Sequence, residues 1–276
     1  MNVVVLGCGP SGLMAAHAAV SAGCRVVIYS RKQKSPILGA QFLHADIPDS
    51  NSPPPEFVTW KHRIGESGRY QPEDYLRKVY GSAWDGVISN EMYNVGQQAW
   101  DLREVYRHLY TRFEADIVDW YYSANALNVL GRKLAGRGRN FLVINTLPRR
   151  VVCQKPQEHE FISTKIWAMG DDPANGLVCP IVVPNFTIEY NGNPEPSWYR
   201  VSKIFGHTTM EWPGYLPKPP VAGVVAVNKP VATTCTCWPG VVHVGRYGLW
   251  RKGVLLHHVY DDTLLAVNAA RQEALF

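Results

Sequence analysis

The 276-residue chain has no unbroken run of about eighteen apolar residues, so it offers no candidate for a membrane-spanning helix. Its N-terminus is already an apolar strand, and no signal or transit peptide is expected ahead of it. The six cysteines lack the spacing of a disulfide framework, which points to a reducing, cytoplasmic setting. A strong charge bias is missing too: 28 Lys and Arg against 23 Asp and Glu leave a net charge of +5. That excess permits an anionic partner such as a nucleotide, a sugar nucleotide or nucleic acid without requiring one. No Cys-x-x-Cys occurs. Cys235-Thr236-Cys237 has a single-residue spacer and no second matching pair, with Cys153, His159 and His243 elsewhere, so the reading assigns no metal.

What is present begins at residue 3. Val3-Val4-Val5-Leu6 reads as a buried strand, followed by glycines at 7, 9 and 12 and a small-residue helix as far as Gly23. Val26-Val27-Ile28-Tyr29 supplies a second strand, which completes a β-α-β unit. In a Gly-x-Gly-x-x-Gly turn the first glycine allows the tight bend. The second lets backbone approach a pyrophosphate, and the third lets the helix pack closely. The diphosphate then sits on free amide groups at the positive end of the helix, here near Gly9, Pro10, Ser11 and Gly12. The end of the second strand, where an acid commonly holds a ribose hydroxyl, carries Ser30-Arg31-Lys32. Serine suits a ribose of FAD, whereas Arg31 and Lys32 would suit the 2′-phosphate of NADP. No second Gly-x-Gly-x-x-Gly exists to build a separate NADPH domain.

Further along, prolines at 36, 48 and 53–55 mark a loop, and 49–95 reads as an insert with a strand near 57–63 and a helix over 72–80. Residues 97–113 carry apolar residues at three- and four-residue steps, the pattern of an amphipathic helix. A strand over 116–122, a helix over 124–134, a basic glycine-rich loop at 131–139 and a strand over 141–145 follow. The basic loop is a candidate for phosphate or nucleic acid. Between 151 and 239 prolines are frequent and alternating strands replace helical periodicity: 161–169, 180–190, 197–205 and 221–227. Trp198-Tyr199-Arg200 and Glu211-Trp212 stand out there as aromatic walls beside charges. Strand 241–244 then leads into a helix expected over 254–275.

Gly9-Pro10-Ser11-Gly12-Leu13 with Ala15-Ala16 resembles the opening of glutathione-reductase-type flavoproteins. So does Gly39-Ala40-Gln41, and Val143-Ile144-Asn145-Thr146-Leu147-Pro148 is similar to their strand returning to the nucleotide domain. Val241 to Gly253, with Gly245, Arg246 and Trp250, resembles the closing motif of UDP-galactopyranose mutases and, more loosely, of amine oxidases. Lys252-Gly253 departs from that motif, and mutase activity does not carry over. The resemblance implies an α/β protein with a Rossmann-like FAD-binding domain from 1–48, 96–150 and 240–276. A mostly antiparallel substrate sheet over 151–239 completes it. It implies FAD contacts at Gly7, Gly9, Pro10, Ser11, Gly12, Ser30, Arg31, Lys32, Gln41, Thr146, Pro148, Gly245, Arg246, Trp250 and Lys252. Gln41, His44, Arg200 and Tyr247 are the catalytic candidates. The implied reaction is hydride removal from a carbon bearing an amine or hydroxyl, on a small molecule, a nucleotide or a modified DNA base. An NADP(H)-dependent reductase and a non-redox dinucleotide-binding protein are the alternatives.

Overall fold

The computed structural model describes residues 1–32, 37, 42–63, 72–83, 86, 95–120, 141–171, 176–193 and 198–273. Gln41, the expected helix over 124–134 and the basic loop 131–139 lie outside the described residues.

The opening run forms strand β1 (Asn2–Leu6), helix α1 (Pro10–Ser21) and strand β2 (Arg25–Ser30). Pro10 stands at the start of α1, where its fixed φ suits a helix and its missing N–H costs nothing. β1 pairs in parallel with β2 on one side and with β6 (Phe141–Asn145) on the other. β5 (Ile117–Asp119) extends the sheet beyond β2, and β12 (Val242–His243) extends it beyond β6, all in parallel. Val3 to Leu6 are all buried, as a central parallel strand covered on both faces requires. Val3, Val5, Ile28 and Ile144 pack with Leu13 of α1, Leu109 of α3 (Leu102–Phe113) and Val259 of the last helix (His258–Glu273). On the opposite face Val4 and Leu6 meet Val152, Trp120 and Trp238.

A second, seven-stranded sheet has the order β11-β7-β10-β9-β8-β3-β4. Its strands are β3 (Glu56–Arg63), β4 (Gly96–Ala99), β7 (Phe161–Gly170), β8 (Thr187–Asn191), β9 (Arg200–Ile204), β10 (His207–Pro213) and β11 (Val225–Thr233). Every pairing is antiparallel except β3 with β8. Helix α2 (Pro72–Tyr80) lays Tyr75 and Val79 against one face, among Tyr190 and Tyr199. Short helices α4 (Arg149–Val152) and α5 (Gly245–Leu249) follow β6 and β12, and α6 is the last helix, His258–Glu273. Among the described residues no helix is long and apolar enough to cross a membrane.

Several boundaries differ from the sequence expectation. The amphipathic helix starts at Leu102 because Asp101 caps it, accepting from Arg103 N at 2.8 Å and Glu104 N at 3.3 Å. Gln97 to Ala99 belong to β4 instead. Segment 49–95 gives β3 to the second sheet. Strand β10 was not expected. The last helix starts at His258, because Trp250 (φ 53°) and Gly253 (φ 73°) break the chain with left-handed conformations first.

Candidate functional site

The glycine turn sits at the carboxyl end of β1, where chain connections diverge to β2 on one side and β6 on the other. In an open parallel sheet this crevice is the general ligand position. Gly7 takes φ 104°, and a Cβ there would stand 2.7 Å from Thr146 Oγ1. A Cβ on Gly12 would fall 1.9 Å from the Gly7 carbonyl oxygen. Thr146 holds the turn from below, its hydroxyl donating to Leu6 O at 2.7 Å. Gly9 precedes α1 with an ordinary φ of −68°, and no side chain caps the helix, which leaves the first-turn amides of Ser11 and Gly12 for an anion. Pro148, just beyond Thr146, immediately precedes α4.

The two ends of the chain interlock here. Gly245 takes φ 73°, and a Cβ on it would lie 2.7 Å from Ser11 Oγ. Gly248 backs onto Asn145, whose carbonyl oxygen would be 2.5 Å from an added Cβ.

Ser30 is placed differently from its expected role as a free ribose ligand. It is buried, and its hydroxyl accepts from Cys8 N at 3.1 Å, bracing the glycine turn from behind. Arg31 and Lys32 are exposed, and the Lys32 amide donates to Asp119 Oδ1 at 3.3 Å. Asp119 is thus the acid beside the end of β2. It escaped sequence reading because it arrives on the neighbouring strand β5, opposite Ser30.

The second sheet contributes a polar cluster. Glu211 on β10, 1% exposed, accepts from Arg200 Nη2 at 2.8 Å and from Lys229 Nζ at 3.1 Å. Lys229 also donates to the Tyr199 hydroxyl at 2.9 Å, and Tyr75 packs edge-on against Tyr199. Burial pushes the Glu211 carboxyl up, but Arg200 and Lys229 overcome it and hold it at about 2. Burial brings Lys229 down to about 7, opposed by Glu211 and helped by Arg200 and Arg246. The directions agree: one carboxylate faces more than one cation, so Lys229 is the charge in surplus. Arg200 had been singled out from the sequence, whereas Lys229 had not. Its signal was a lysine inside a strand, between Asn228 and Pro230.

His44 lies beside this cluster. Its Nδ1 meets Gln97 Nε2 at 2.6 Å, its ring stacks on Phe42 at 4.5 Å, and His257 is 5.8 Å away. Burial first, and His257 next, lower its pKa to about 4 against the Gln97 hydrogen bond. His243, 3.1 Å from Asn145 Nδ2, is likewise brought to about 4 by burial and then Arg149. Both histidines are neutral at pH 7. A folded-state pKa below the unfolded 6.5 means that the unfolded chain takes up the proton first. Stability is therefore full above pH 6.5 and falls as pH drops towards 4. At pH 5 the loss should reach up to about 2 kcal/mol per histidine. Urea midpoints at pH 7 and pH 5 measure it, and His44→Gln with His243→Gln should flatten the dependence.

The remaining C-terminal candidates are spread out. Arg246 Nη2 is 3.5 Å from Pro230 O, and its Nε is buried with no partner among the described residues. The Tyr247 hydroxyl donates to Asn228 O at 2.9 Å, which commits the proton a catalytic tyrosine would use. Trp250 donates to Ile162 O at 3.0 Å and sets its ring edge-on to Phe161, pinning the segment to the second sheet. Lys252 does not stand at the N-terminus of the last helix as expected. Its ammonium lies 6.0 Å from the Tyr80 ring, and α6 begins six residues later, at His258.

Cysteines far apart in the sequence also come together in space. Cys153, His159, Cys235 and Cys237 converge, with their ligand atoms all within 4.8 Å of one another.

No protein-family model and no curated protein sequence matches the chain. Its fold does match solved structures. A ternary complex of aklavinone-11 hydroxylase with FAD and aklavinone aligns with a TM-score of 0.53 at 12% identity, over 98% of this chain and 62% of that one. A mutant of 2-methyl-3-hydroxypyridine-5-carboxylic acid oxygenase aligns with a TM-score of 0.52 at 10% identity, over 99% of this chain and 82% of that one. At these identities the likeness is one of fold.

Proposed function

We propose that the chain is an FAD-dependent oxidoreductase acting on a small anionic molecule. One observation carries the reading: the glycine turn, completed by Gly245 against Ser11, opens at the switch-point crevice. The fold shared with an FAD complex supports FAD as the dinucleotide. The residues present fit it. Ser11 and Gly12 offer amides to the diphosphate, and Arg246 Nε and His257 Nδ1 are buried polar atoms without partners among the described residues. Asp119 beside the end of β2 would repel a 2′-phosphate, which argues against NADP(H) as resident cofactor.

FAD supplies two-electron chemistry when bound, and the protein supplies binding, orientation and charge. With the Gln97 amide nitrogen donating to Nδ1, neutral His44 carries its proton on Nε2 and can donate it to a substrate. Lys229, with Arg200 and Arg246 near it, favours a carboxylate or phenolate. Oxygenation fits this reading better than hydride removal from an amine carbon, and of the two fold neighbours one is named a hydroxylase and the other an oxygenase. A surplus of buried cations opposes a protonated amine. The six free cysteines are in keeping with a reducing compartment.

The purified chain should be yellow and release FAD on denaturation, identified by chromatography. Aromatic carboxylates should perturb the flavin spectrum and the matching amides should not. A colourless protein that takes up no FAD yet saturates with NADPH overturns the proposal.

A further inference from the structure

We propose that Cys153, His159, Cys235 and Cys237 form a structural zinc site that staples the two sheets together. The reading stands independently of the flavin. Zinc about 2.3 Å from each sulfur and about 2.0 Å from a ring nitrogen, at tetrahedral angles, sets its ligand atoms about 3.5 to 3.8 Å apart. The Sγ atoms of Cys153 and Cys235 are 3.4 Å apart, and those of Cys153 and Cys237 are 3.7 Å apart. His159 Nδ1 lies 3.2 Å from Cys153 Sγ and 3.9 Å from Cys237 Sγ. Four of the six edges are thus close to zinc-site size, and the other two, from Cys235 to Cys237 and to His159, are within 4.8 Å. None of the sulfurs is in a disulfide.

Charge makes a second, separate argument. Three thiolates and a neutral imidazole around Zn²⁺ leave a net charge of −1. Arg149 is buried beside the cluster, and its Nη2 donates to Cys235 O at 3.1 Å and Cys237 O at 3.0 Å. No carboxylate pairs with Arg149 among the described residues, and a buried cation needs an anion nearby. The metal centre supplies one.

The backbone carrying the ligands is already fixed. Thr233 Oγ1 donates to Glu160 O at 2.6 Å, Glu160 N donates to Thr234 Oγ1 at 3.0 Å, and Trp238 Nε1 donates to Val152 O at 2.6 Å. The staple's position gives it a purpose. Cys153 and His159 lie where the chain leaves the first sheet for β7. Cys235 and Cys237 lie where it returns from β11 towards β12. Four protein ligands fill the tetrahedron and leave no open position for chemistry, so the ion's role is architectural. A one-residue spacer suffices because the other two ligands arrive from a distant part of the chain.

The test is metal content of the full chain purified without chelator and under reductant. One equivalent of zinc is expected. Replacement by Co²⁺ should give the intense visible bands of tetrahedral thiolate coordination together with a sulfur-to-cobalt charge-transfer band. Cys153→Ser and Cys237→Ser should lose the ion, whereas Cys179→Ala, which packs with Met169 and Val224 and is not among the four ligands, should keep it. Should the serine variants fail to fold, the wild-type stoichiometry and cobalt spectrum still decide. Zinc well below one equivalent with no cobalt band overturns the proposal. So does an intact-mass shift showing a disulfide among the three cysteines.

Discussion

Glu211→Gln should cost the protein about 3–5 kcal/mol of stability, the usual penalty for removing one partner of a buried ion pair. Glu211 is 1% exposed and meets Arg200 at 2.8 Å and Lys229 at 3.1 Å. Glutamine keeps the shape but withdraws the only carboxylate in contact with these two cations among the described residues, and its amide group turns a donor towards one of them. Coupling to Lys229 separates charge from packing. In the double variant Glu211→Gln with Lys229→Met, one surplus cation goes with the anion, and part of the loss should return. Urea midpoints of the four proteins give the cycle. A single-variant loss under about 1 kcal/mol would mean that water reaches these groups.

Gly9→Val should leave the fold standing and abolish flavin retention, weakening FAD by at least about a hundredfold, near 2.7 kcal/mol. The two halves of that expectation have different causes. Gly9 has φ −68° and ψ 178°, a conformation valine also adopts, so the backbone carries no strain. The new side chain instead projects from the turn that must lie against a diphosphate. Gly12→Ala is the contrast: its Cβ would stand 1.9 Å from the Gly7 carbonyl, so both stability and cofactor should be lost. Thermal midpoint and flavin content of both variants test this. A Gly9→Val protein carrying full flavin would remove the turn from the site.

The parts legible in the sequence are those whose cause is local. Val3 to Gly12 declare a strand, a turn and a helix within one short stretch, and the structure has each of them. Arg200 and Glu211 stood out as charges among aromatics in strands, but nothing local says that they pair across β9 and β10. β10 itself was invisible because His207–Pro213 is buried at six successive positions and shows no alternation. Its polar members survive burial through partners elsewhere, as Thr209 does through the Ser202 hydroxyl at 2.9 Å. The convergence of Cys153, His159, Cys235 and Cys237 was invisible for a related reason. Ligand-spacing rules describe residues gathered within one loop, and these four arrive on two connections. The second task of Ser30 was hidden because the sequence shows which side chain ends β2 but not that Cys8 N donates to its oxygen.

The contact of Gly245 with Ser11 also bears on how the protein is made. On the ribosome the β1-α1-β2 unit emerges before the segments that complete it, with its apolar face uncovered and its ligand turn open on one side. Both α6, which covers α1, and Gly245, which completes the turn, are made more than two hundred residues later. Until then the nascent chain carries an exposed apolar surface, a state prone to aggregation and to chaperone capture. For the FAD site proposed above, uptake would have to follow the joining of these two distant segments, and a shortage of FAD would then be felt as lost yield of folded protein before it was felt as lost turnover.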